Sequence, residues 1–126
     1  MTPFVILFRV DTVPDLTDFS VQSGTRAFQL GWENSGGPLG KISLEIISDE
    51  QCAVEYGNNQ AIISSMICGN EFYDCLSESG SPLMCEADQN SLCGIASWAY
   101  GCATYPAVFT EIYEFREWIF DKINAI

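Results

Sequence analysis

Short runs of apolar residues, each bounded by residues that favour turns, recur along most of this chain. Residues 4–10, 27–32, 42–47, 81–85, 92–97 and 107–110 form six such runs, rich in aliphatic, aromatic and β-branched side chains. Each has the length and composition of a half-buried strand, and their recurrence predicts an all-β barrel or sandwich. Between the second and third runs, Glu33-Asn34-Ser35-Gly36-Gly37-Pro38-Leu39-Gly40 reads as a loop, because glycines and a proline punctuate it. The tail has a different period. Ile112, Phe115, Ile119, Ile123 and Ile126 recur at steps of three and four with Trp118 beside them, while Glu114, Glu117 and Asp121 fall elsewhere. A helix with one apolar face is predicted there, and no internal repeat, low-complexity tract or linker interrupts the chain.

At 126 residues, 48% of them hydrophobic, the chain has the length of one compact domain and enough apolar material to build its core. Seventeen acidic residues against five basic ones give a net charge of −12, which repels phosphate backbones and anionic lipid headgroups. Nucleic acid and membrane surfaces are therefore not expected partners. Histidine is absent from the sequence, so no imidazole base, proton shuttle or histidine metal ligand comes from this chain. The apolar run at residues 4–10 is too short to span a membrane and has no basic residue before it. It reads as a strand rather than a signal peptide, which implies another export route or a true beginning that this sequence lacks.

All six cysteines lie between Cys52 and Cys102. That density in a chain of this size points to a disulfide framework made in an oxidising compartment. No pair has C-x-x-C spacing, and without histidine a zinc site would need four scattered thiolates. No metal and no cofactor are expected.

One segment carries chemistry. Met66-Ile67-Cys68, followed by Asp74-Cys75-Leu76-Ser77-Glu78-Ser79-Gly80-Ser81-Pro82-Leu83-Met84-Cys85, resembles the nucleophile segment of trypsin-like serine proteases. Its neighbours fall in that family's order: Gly31-Trp32, Cys52 before a tyrosine, Gly94-Ile95-Ala96-Ser97-Trp98, Gly101-Cys102-Ala103, Pro106-Ala107-Val108-Phe109-Thr110, and Trp118-Ile119 in a closing helix. The resemblance runs from about Ser23 to the last residue and is to the carboxy-terminal half of such a protease. It implies a single six-stranded antiparallel β-barrel with a C-terminal α-helix, so that residues 1–126 form a partial protease domain without the first barrel. Ser35-Gly36-Gly37-Pro38-Leu39 also looks like the nucleophile pattern, but no cysteine brackets it and it reads as a turn.

By this resemblance Ser79 is the nucleophile, and the backbone N–H groups of Ser77 and Ser79 form the oxyanion hole. Ser77 stands where the family has a glycine, and Glu78 where it has an aspartate that pairs with a new amino terminus. The substrate pocket maps to Tyr73 at its floor with Asp74 beside it, to Ser97, Trp98 and Ala99 along its edge, and to Ala99 and Ala107 as its walls. Tyr73, Ala99 and Ala107 each fill space there. The triad's histidine belongs to the absent barrel, and Phe4 is the nearest match to its aspartate. Losing the base of such a unit costs about a million-fold in turnover. Neither Lys41 nor Lys122 sits in a serine-lysine motif that would replace it.

The resemblance pairs Cys52 with Cys68 and Cys75 with Cys102, each bridge stabilising by about 3 kcal/mol. The usual partner of Cys85 is Ala27 here, and Cys93 is new, so these two either bridge across a hairpin or remain buried thiols. Two functional readings follow. In one the chain is a non-enzymatic homologue that binds peptides or proteins; in the other it is part of a serine endopeptidase whose missing half supplies histidine and aspartate. Both imply an exposed apolar patch around Ser79, Trp98 and residues 4–10, and hence a partner barrel or self-association. Disulfides and family together imply an extracellular location.

Overall fold

A computed structural model describes residues 15–17, 20–32, 38–58, 61–71, 79–86, 91–98 and 104–125. Six strands, β1 (Arg26–Trp32), β2 (Leu39–Ile47), β3 (Met66–Glu71), β4 (Pro82–Cys85), β5 (Ser91–Trp98) and β6 (Ala107–Glu111), close into an antiparallel barrel in the order β1-β2-β3-β6-β5-β4. Closure leaves no strand edge unpaired, which is how small all-β domains avoid edge-to-edge association. Helix α1 (Asp49–Glu55) follows β2, and helix α2 (Ile112–Asn124) ends the chain and meets β5.

The interior follows from alternation. Ala27 on β1, Leu44 and Ile46 on β2, Ile67 on β3, Leu83 and Cys85 on β4, Cys93 on β5, and Ala107 and Phe109 on β6 point inward to one buried cluster, which Val21 joins. Phe109 is fully buried, and truncating such a residue to alanine costs about 3–5 kcal/mol. Val108, one residue out of phase, faces outward into a second cluster with Cys52, Tyr56 and Cys68, against which Ile47, Met66 and Trp98 pack. The bond between Cys52 and Cys68 ties α1 to β3 through this cluster.

Several expectations change. Five of the six predicted runs are barrel strands, but the sixth strand is β3; residues 4–10 lie outside the described residues. The predicted loop is shorter than expected, because Leu39 and Gly40 pair with Trp32 and Gly31 and already belong to β2. A second helix, α1, precedes Tyr56, its Ser48 Oγ accepting a hydrogen bond from the Gln51 N–H at 3.1 Å. The apolar face of α2 is mostly uncovered: Ile112 is buried, whereas Phe115 and Ile123 are exposed together with Tyr113, Trp118 and Phe120.

Candidate active site

Ser79 is exposed on a two-residue turn that leads into β4. Gly80 has φ +91°, in the left-handed region, and its N–H donates to the Ala96 carbonyl at 2.8 Å. The Ala96 N–H in turn donates to the Ser81 carbonyl at 2.8 Å, extending the β4–β5 ladder upward to the turn. The backbone that follows Ser79 is therefore fixed to β5, next to the end of that strand that carries Ser97 and Trp98.

Ser97 is exposed and Trp98 half-buried. The Trp98 ring lies 5.2 Å from that of Tyr56 at 58°, and Tyr56 stacks on Tyr105 at 5.1 Å and 14°. The Tyr56 hydroxyl donates to the buried Pro106 carbonyl, anchoring this aromatic stack to the strand that begins at Ala107. Tyr56, the tyrosine after Cys52 in the family-like order, is the C-cap of α1, and its contacts with Trp98 and Pro106 were not expected from the sequence. Ala107 is buried in the barrel core, opposite Gly69.

Tyr73, Asp74, Ser77, Glu78, Ala99, Cys75, Cys102 and Phe4 lie outside the described residues. Cys85 and Cys93 are bonded, with Cα atoms 5.8 Å apart. Leu83 faces Gly94 and Met84 faces Leu92, so Cys93 is the extra residue of a β-bulge. Ala27 lies directly across from Cys85 in the β1–β4 pair. Cys85 thus bonds to its neighbour on β5, with an alanine on its β1 side.

Both lysines of the chain lie over aromatic rings. Lys41 Nζ lies 4.3 Å from the centre of the Phe28 ring, and Lys122 Nζ 5.8 Å from that of Trp118, on elements that do not carry Ser79. Trp98 of the expected apolar patch is half-buried against the second cluster, with Tyr105 of the same aromatic stack exposed. Further large exposed apolar side chains lie on α2, at Val54 and Ile63, and at Trp32 and Leu39 at the end of the β1–β2 pair.

Comparison with known proteins agrees with this barrel. The family model described as Trypsin matches residues 8–119. The chain belongs to the trypsin family of serine proteases. Among trypsins, Trypsin-1 of Astacus astacus is 37% identical over 102 residues, covering 74% of this chain and 41% of that protein. Trypsin alpha of Drosophila melanogaster is 32% identical over 125 residues, covering 88% of this chain and 47% of that protein. The structure of kallikrein-related peptidase 10 superposes with a TM-score of 0.78 at 32% identity, covering 91% of this chain and 58% of that one. The chain spans about half the length of the curated trypsins it matches.

Proposed function

We propose that this chain is a trypsin-family protein that binds peptides or proteins and does not hydrolyse them by itself. The observation that carries this reading is an exposed Ser79 on a pinned turn in a sequence that contains no histidine. A serine hydroxyl without a neighbouring base stays protonated and is a poor nucleophile. What remains is a recognition surface, Ser97 and the backed Trp98 at the end of β5, on a molecule whose net charge of −12 favours a basic partner and whose disulfides fit an extracellular location. A fluorophosphonate serine probe tests it directly. The purified chain is expected to remain unlabelled under conditions that fully label trypsin, and stoichiometric modification of Ser79 would overturn the reading.

The turn geometry favours one second reading. A glycine with a left-handed backbone follows Ser79, which is compatible with a nucleophile turn, and the chain spans about half the length of its relatives. In that reading a histidine-bearing first barrel completes the enzyme. Amidolysis that appears only on mixing with such a barrel, and disappears in Ser79→Ala, would establish it over the first.

A further inference from the structure

Far from the Ser79 turn in sequence, three elements meet over a hollow of about 330 Å³. The first is a strap, residues 20–25, fixed to β2 by Gly24 N–H donating to the Ile46 carbonyl (2.7 Å) and Ile46 N–H donating to the Thr25 carbonyl (2.9 Å). The second is the start of α1, with Asp49 and Glu50. The third is the junction of β6 and α2, where Glu111 is the N-cap residue and Glu114 lies in the first turn. Glu111 is only 3% exposed. Its Oε2 accepts hydrogen bonds from the Val21 N–H at 3.0 Å and the Ser20 hydroxyl at 3.3 Å, so the strap is held by a buried carboxyl.

Among the described residues, the charged groups that line the hollow with this carboxyl are all of its own sign. From α1 come Asp49 and Glu50, and from α2 comes Glu114; the strap and the lead into β3 contribute no titratable group to the lining. Among the described residues no lysine or arginine lines the hollow. We propose that this arrangement is a proton-operated clamp: protonation of Glu111 draws the strap, α1 and the start of α2 together, and deprotonation loosens them.

The physical basis is linkage. Burial pushes the Glu111 carboxyl up most strongly; the hydrogen bonds from Val21 and Ser20 pull it down, Glu114 and Asp49 push it up again, and the net direction is upward. Burial, then Glu50, likewise raises Asp49. When the three elements part, the burial, the two hydrogen bonds and the Asp49 charge are lost while Glu114, on the same helix, stays, and the carboxyl moves back toward its ordinary range. The closed clamp therefore binds the proton more tightly than the parted one. Its advantage is full below the ordinary glutamate range and is lost as pH rises through the raised value. Both hydrogen bonds survive protonation, because Oε2 still accepts while Oε1 carries the proton. Earlier in the chain, Thr17 N–H donates to the Leu92 carbonyl (3.1 Å) and Leu92 N–H to the Asp15 carbonyl (2.8 Å).

Amide hydrogen exchange on the full chain, corrected for the intrinsic pH dependence of exchange, tests the clamp. Protection at Val21 and Gly24 is expected to rise at least about threefold from pH 7.5 to pH 5. In Glu111→Gln, which keeps the shape without the charge, protection is expected to be high at both pH values. Glu117→Gln on the exposed side of α2 changes net charge equally and should leave the wild-type response intact. A Glu111→Gln chain that retains the full pH response, or wild-type protection that is flat or falls on acidification, would refute the proposal. Should Glu111→Gln not fold, carboxyl NMR titration of the wild-type chain decides instead. Glu111 must titrate above an ordinary glutamate and move down in Asp49→Asn, and titration at or below the ordinary value sinks the clamp.

Discussion

Gly80 owes its identity to backbone conformation and not to crowding. A Cβ there would meet nothing within 4 Å, yet φ is +91° and the N–H is committed to the Ala96 carbonyl. Gly80→Ala is therefore expected to cost about 1 kcal/mol in urea unfolding, from backbone strain alone; a loss several times larger would mean that the turn is packed more tightly than this. Tyr56 makes the opposite case, because its hydroxyl satisfies the buried Pro106 carbonyl while its ring lies between Trp98 and Tyr105. Tyr56→Phe strands that carbonyl at a cost of about 1–3 kcal/mol, measurable as a lower denaturant midpoint, and an unchanged midpoint would show that the contact contributes nothing. The two residues differ in how legible they were. A glycine after Ser79 is a local signal that the sequence displays. The contact between Tyr56 and Pro106 joins positions 50 residues apart, and no local pattern announces it.

The extent of β1 could be read from its apolar run, but its inward face could not: Ala27, Gln29 and Gly31 are buried while Phe28, Leu30 and Trp32 lie on the less buried side, the reverse of what the hydrophobic pattern predicts. The missed elements had physical reasons to be missed. In β3, Gly69 interrupts the apolar run because a Cβ there would come within 2.4 Å of Leu44 Cδ1, so the barrel needs a gap where the pattern expects a side chain. Helix α1 has seven residues, too few for a period of 3.6 to stand out, although Ser48 and Gln51 form the start of a capping box. The bulge at Cys93 is also an element-level device, since it sets a second cysteine beside Cys85 where β1 offers only Ala27. The chain-entropy model gives about 2.5 kcal/mol for the bridge between Cys85 and Cys93, which spans 8 positions, and about 3 kcal/mol for that between Cys52 and Cys68, which spans 16. Urea unfolding of the two double-alanine variants is expected to show losses of that size and order. Directly opposed antiparallel residues have Cα atoms about 4.5–5.5 Å apart, within disulfide range. Ala27→Cys combined with Cys93→Ala should therefore move the bridge to β1–β4 and recover most of the loss. A free thiol at Cys85 in that variant, found by peptide mapping, would contradict the register.

The periodicity of the tail told which side of α2 is apolar but could not tell what covers it, because a hydrophobic stripe carries no record of its partner. In the folded chain that stripe is largely bare, with Trp118 60% and Ile123 55% exposed. Over the same molecule spreads a net charge of −12. The two features oppose each other: like charge keeps copies apart, and bare apolar surface draws them together once the charge is screened beyond about 8–10 Å. Raising salt from about 0.05 to 0.5 M shortens that range to a few Å, so the sedimentation coefficient of the concentrated chain is expected to increase with salt. If α2 is the surface responsible, replacing Trp118 and Ile123 by serine abolishes the increase and lowers dye binding to exposed apolar surface. Because both side chains are already exposed, the replacement leaves stability within about 0.5 kcal/mol of the parent. A double variant that still associates with salt and binds the dye as before would place the sticky surface elsewhere, with Trp32 and Leu39 at the end of the β1–β2 pair as the next residues to test.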